Sequence, residues 1–91
     1  MKYKAYVLIR ADKGEADTAA AELDNKEGIL TVDRVFGHHD LVAVIEAPNL
    51  EGLVMIVTNE IATTAHVSST ETLVVTSGMG AQHKKNSKYN E

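Results

Sequence analysis

Residues 28–48, GILTVDRVFGHHDLVAVIEAP, constrain this chain more than any other stretch. Two runs of β-type residues, Ile29 to Phe36 and Leu41 to Ala47, flank only four residues, Gly37-His38-His39-Asp40. A connection that short predicts a hairpin and forces the two strands antiparallel. Pro48 cannot continue a paired strand and Asn49 is a good helix N-cap, so a helix is expected to start directly after the hairpin. Any fold for this chain must accommodate a strand–hairpin–strand–helix unit at its centre.

The flanking segments fill in the rest. Tyr3 to Ala11 is rich in branched and aromatic residues and ends at Asp12-Lys13-Gly14, which predicts a first strand. From Glu15 the period changes: Ala16, Ala19, Ala20 and Leu23 lie on one face of a helix, with Gly14 as its N-cap and Gly28 in a left-handed conformation after its end. Leu50, Leu53, Val54, Val57 and Ile61 mark the apolar face of a second helix ending near Thr63. His66 to Thr76 returns to β character, with Val67, Ser69, Glu71, Leu73 and Val75 on one face and a hydroxyl-rich set, Ser68, Thr70, Thr72, Val74 and Thr76, on the other. The order β-α-β-β-α-β predicts an α+β, ferredoxin-like domain over residues 1–77: a four-stranded antiparallel sheet with both helices on one face. Residues 78–91 are polar and aperiodic and are expected to form a disordered tail in which His83 is a solvated residue.

Composition narrows the function classes. Ninety-one residues make one small core, with little room for an enclosed cleft, so self-association through the uncovered sheet face is expected. The absence of cysteine excludes disulfides and thiolate metal sites. A formal charge of −4, with scattered Lys and Arg, disfavours direct nucleic-acid binding. No signal-peptide pattern or membrane-spanning run is present, and a soluble cytoplasmic protein is expected. No nucleophile elbow, phosphate loop or His-Asp-Ser arrangement supports catalysis.

AYVLIRADKGE, GILTVDRVFGHHDLVAVIEAPNLEGL and HVSSTETLVVT, in that order and spacing, resemble the effector-binding (RAM) domain of the Lrp/AsnC transcription regulators across residues 5–76. The most specific part is a strand ending in Val-x-Gly, then two residues, Asp, an aliphatic strand, Ala-Pro and a helix. Because the chain opens at the first strand, it looks like the stand-alone version without a helix-turn-helix domain. The resemblance implies a non-enzymatic sensing and oligomerisation module that acts on transcription indirectly, through helix-turn-helix relatives. It further implies sheet-to-sheet dimers (a dimeric α+β barrel), higher-order rings, and a small effector, typically an amino acid, held between dimers near the hairpin. The sequence departs from the family at His39, where Tyr or Phe is usual, and at Phe36, where a small hydroxyl residue is common.

The candidate ligand-binding residues are therefore Gly37, His38, His39, Asp40, Thr70 and Thr72. Asp40 suits an ammonium group, the backbone N–H groups near Gly37 and His38 suit a carboxylate, and the threonines offer hydroxyls. The competing reading is turn chemistry for Gly37 and Asp40 and ordinary strand propensity for Thr70 and Thr72. No cofactor is expected. A metal-responsive module using the His38/His39/Asp40 loop, with His66, is the alternative, and a small barrel-type oxygenase is a more distant one. Arg34 is expected to pair across the sheet with Glu46 or Glu71.

Overall fold

The computed structural model describes residues 2–76; the expected tail, with His83, lies outside that span. Strand β1 is Tyr3–Ala11, helix α1 Ala16–Leu23, strand β2 Ile29–Arg34, strand β3 Leu41–Ala47, helix α2 Leu50–Met55, followed by a π-helical segment Ile56–Ile61, and strand β4 Val67–Val74. All pairings are antiparallel and the spatial order is β2-β3-β1-β4, so the central strands β1 and β3 are flanked by β2 and β4. This is the ferredoxin-like arrangement expected from the sequence. Among the described residues no helix is long and apolar enough to cross a membrane.

The registers assign each residue to a face, because directly paired residues in an antiparallel sheet point the same way. Three rows face the helices: Ile29·Ile45·Ala5·Val74, Val32·Ala43·Val7·Thr72 and Arg34·Leu41·Ile9·Thr70. Their central members are fully buried, and with Ala47 at the end of β3, Ala19 and Leu23 of α1, Leu53 of α2 and Ile61 they form the core. The open face carries the rows Thr31·Val44·Tyr6·Leu73 and Asp33·Val42·Leu8·Glu71, with Lys4 beside Glu46. None of these open-face residues is buried, and Tyr6 and Leu73 remain 38% and 45% exposed.

Several boundaries differ from expectation for identifiable reasons. Glu15, not Gly14, occupies the N-cap position of α1; Gly14 sits in the preceding turn at φ +79. Strand β2 ends at Arg34, so Val35 and Phe36 belong to a six-residue loop, which Val35 N–H closes by donating to the Asp40 carbonyl at 3.0 Å. In β4 the register shifts opposite Arg10/Ala11, so Val67 pairs with Ala11 toward the helix layer instead of sharing the face of Ser69. The hydroxyl-bearing face of β4 is thus the helix side, and its edge position leaves Thr70 half-buried and Thr72 exposed.

The second helix departs most. Asn49 caps it as expected, accepting from Gly52 N–H at 2.7 Å. Farther along, Thr58, Thr63 and Thr64 hydroxyls donate to carbonyls four residues back, those of Val54, Asn59 and Glu60. Such side-chain bonds compete with the α-helical ladder. Ala62 N–H instead reaches the Val57 carbonyl, five residues back, at 2.8 Å. The wider turns begin only at Ile56, after Leu50 and Val54. Leu53, Ile56, Val57 and Ile61 point inward, whereas Leu50 and Val54, expected on that face, are 51% and 58% exposed.

Gly28 joins the two layers. Its φ is +88, and a Cβ built there would lie 2.5 Å from Ile56 Cδ1. Gly28→Ala is expected to lower stability by about 1–3 kcal/mol, read by urea denaturation, because it adds backbone strain and displaces Ile56.

Candidate functional site

The hairpin places its polar residues at the end of the sheet where β1 stops and α1 begins. Asp40 holds that end together. Its backbone N–H donates to the Ile9 carbonyl at 2.8 Å, and its carboxylate Oδ2 accepts from Ala11 N–H at 2.8 Å. The turn role of Asp40 is therefore real, but it engages the neighbouring strand as well as its own loop. The other carboxylate oxygen stays available, because a carboxylate offers about four acceptor positions.

Around Asp40 lies a depression of about 280 Å³ lined by Asp12, Lys13, Gly14, Asp17, Arg34 and Asp40, with the methyl groups of Ala11 and Ala16. Arg34 points to the helix side of the sheet, where its Nη1 pairs with Asp17 Oδ1 of α1. The expected pairing with Glu46 or Glu71 does not form, because both of those carboxylates lie on the open face. Glu46 instead approaches Lys2 at 3.9 Å, and Glu71 approaches His39. The depression thus sets two cations beside three carboxylates, a charge pattern suited to a zwitterion.

The remaining candidates are distributed around it. Gly37, at φ +145, and His38 form the exposed tip of the loop. His39 turns onto the open face, with Nε2 at 3.8 Å from Glu71 Oε1, which lays its ring across β1. Thr70 and Thr72 sit on the opposite, helix-facing side of β4, opposite Ile9 and Val7. One copy of the chain therefore does not gather His39 and the two threonines on the same side of the sheet. Thr72 instead borders an apolar groove of about 430 Å³ between α2 and β4, formed by Leu50, Leu53, Val54, Val57 and Val74.

Of the metal candidates, His66 lies apart from the loop. It adopts φ +72, and its ring faces Asp12 Oδ2 at 3.5 Å and Glu15 Oε1 at 3.9 Å. Its carbonyl also accepts from Asp12 N–H at 2.8 Å, which ties the start of β4 to the β1–α1 turn. Among the described residues no group of three His, Cys, Asp or Glu side chains converges to hold a metal ion. Arg34 joins the depression without having been expected there, although strand parity reveals it: Arg34 lies two residues after the helix-facing Val32.

A βαββαβ sheet with one apolar face uncovered, and a polar loop at its end, defines a ferredoxin-like α+β module. The chain belongs to the Lrp/AsnC ligand-binding domain family, whose model matches residues 4–84. No curated protein sequence matches significantly. Among solved structures, TTHA0845 from Thermus thermophilus superposes with a TM-score of 0.79 at 26% identity, covering 91% of this chain and 99% of that one. E. coli AsnC gives 0.78 at 19% identity, over 90% of this chain and 56% of that one. The transcriptional regulator NMB0573 of Neisseria meningitidis, solved as a complex with L-Met, gives 0.74 at 12% identity, over 98% of this chain and 59% of that one. The chain thus spans nearly all of TTHA0845 but little more than half of either regulator.

Proposed function

We propose that this chain is a non-enzymatic effector-sensing and oligomerisation module. Two copies pair through their open sheet faces, and a free amino acid is held between such dimers near the 35–40 loop. The effect on transcription is indirect, through assembly with helix-turn-helix members of the family. The observation that carries this reading is the open face itself: Tyr6, Leu8, Val42, Val44 and Leu73 form an apolar centre rimmed by Lys4, Asp33, Glu46 and Glu71. An apolar centre with a charged rim is the make-up of a protein interface. The ligand class is supported by family membership and by the L-Met complex of NMB0573. Locally, the free oxygen of Asp40 suits an ammonium group, and Arg34 or Lys13 suits a carboxylate. A ligand that bridges two dimers stabilises the assembly by mass action, so binding and association are coupled.

The test is a panel of free L-amino acids, read by thermal shift and light scattering on the full chain. At a hundredfold excess over Kd, a true effector contributes about 2.7 kcal/mol, which is a rise of about 10–20 °C in Tm. Asp40→Asn keeps an oxygen for Ala11 N–H but removes the charge, so the fold is expected to survive while the response is lost. Asp40→Ala is the weaker test, because it also removes the acceptor that closes the end of β1. A folded, dimeric protein that responds to no amino acid overturns the proposal.

A further inference from the structure

The chain has a single phenylalanine, Phe36, and it is fully exposed, at 106% of its reference area, in the loop after β2. Val35 beside it is 38% exposed. A large apolar side chain that is fully exposed among the described residues, held on a closed loop, is built like an interface anchor. The same molecule carries a receptor of matching chemistry, the groove formed by Leu50, Leu53, Val54, Val57 and Val74. Of the two hydroxyls at its edge, that of Thr58 is already donated to the Val54 carbonyl. An apolar cavity of about 150 Å³ admits benzene, so a groove of about 430 Å³ has room for a phenyl ring and the adjoining valine.

We propose that Phe36 of one copy seats in the α2–β4 groove of another copy. Topology excludes the intramolecular version. The loop joins β2 to β3, whereas the groove lies at β4, and β2 and β4 are opposite edges of the sheet. Three strand spacings, about 14 Å, separate those edges. The groove also lies near Val7 and Ala5 of β1, toward the far end from Ile9, beside which the loop closes. Each copy offers one knob and one socket, so a two-fold pair exchanges both at once and a head-to-tail contact leaves one of each for a further copy. One seated ring buries about 150–250 Å², well below the roughly 1,200 Å² of a specific stable interface. Alone it is weak; it becomes persistent when each partner is already a dimer and the contacts multiply. Growth into larger assemblies therefore rests on the sheet pairing proposed above, but the Phe36 contact itself does not.

Sedimentation velocity on wild type, Phe36→Ser, Val54→Glu and their equimolar mixture tests the contact. Neither side chain contributes to the core, so both variants are expected to melt within a few degrees of wild type. Wild type is expected to form species larger than the dimer with rising concentration, and each variant to stop at the dimer. The mixture is expected to regain the larger species, because one variant retains the socket and the other the knob. Unchanged assembly in either variant, or a mixture that stays dimeric, overturns the proposal. If wild type shows no dimer, p-benzoylphenylalanine placed at position 36 decides. Crosslinks to residues 50–58 or 72–74 of another copy, reduced at least tenfold by Val54→Glu, support it; crosslinks elsewhere overturn it. An intact amino-acid response alongside failure here leaves the effector reading standing, and the reverse result leaves this contact standing.

Discussion

Ile45→Ala is expected to lower the unfolding free energy by about 2–5 kcal/mol. Ile45 lies on the central strand β3, fully buried, between Ala5 of β1 and Ile29 of β2. Its neighbours on both sides belong to the sheet, which cannot collapse into the gap without breaking its ladders, so the cavity term remains. At about 0.05–0.15 kcal/mol per residue, the described span has only about 4–11 kcal/mol in total. The variant should therefore melt on the order of 10–30 °C lower, or fail to fold. Ile45→Val, which removes one methylene, is expected to cost only about 0.5–1.5 kcal/mol. Val44→Ala, one residue away on the other face, should cost much less than Ile45→Ala in an isolated copy. Thermal unfolding at low concentration checks the series. Equal losses at positions 44 and 45 would mean that the two sheet faces are wrongly assigned.

The same alternation explains why so much of the fold is readable from the residues. Ala-x-Val-x-Ile-x-Ala in β1 and Leu-x-Ala-x-Ile-x-Ala in β3 need only period two, and both strands occupy the expected spans, Tyr3–Ala11 and Leu41–Ala47. The misplacements come where side chains compete with backbone. Three threonine hydroxyls that bond helix carbonyls accompany the π-helical segment, which brings Ile56 as well as Val57 and Ile61 against the core, while Leu50 and Val54 of the preceding α-helical turns stay exposed. A pattern that assumes 3.6 residues per turn has no means of showing this. The irregularities in β2, near Leu30, and in β4, near Ser68, reverse parity locally, and sequence alternation cannot register a bulge. The candidate site is legible only in part. Gly37 and Asp40 are recognisable as loop residues, but the bond from Ala11 N–H to Asp40 joins positions 29 residues apart, and no local signal encodes it. Arg34 is readable as a charge, but its expected partners, Glu46 and Glu71, put it on the wrong side of the sheet.

The second large effect concerns the open face. Val44→Lys is expected to weaken the proposed sheet-paired dimer by about two to four decades in Kd, while the isolated copy stays folded. Val44 lies between Thr31 of β2 and Tyr6 of β1, with Leu73 beyond, near the centre of the apolar patch. In one copy it is only half-buried, so a lysine there can extend its stem over Tyr6 and keep its ammonium in water. Pairing removes that escape. The charges near this face, Lys4, Asp33, Glu46 and Glu71, stand at its rim, and none lies in the row of Val44. Leaving a buried charge unpaired costs about 3–5 kcal/mol, or about two to four decades at roughly 1.4 kcal/mol each. An isologous two-fold interface receives the substitution twice, with like charges brought together, so the upper end of that range is the expected one. Asp33→Lys, at the rim, serves as the matched control and is expected to change Kd by no more than about tenfold. Analytical ultracentrifugation across a concentration series reads both. A Val44→Lys chain that still pairs as tightly as wild type would show that the sheet face is not the surface that joins two copies.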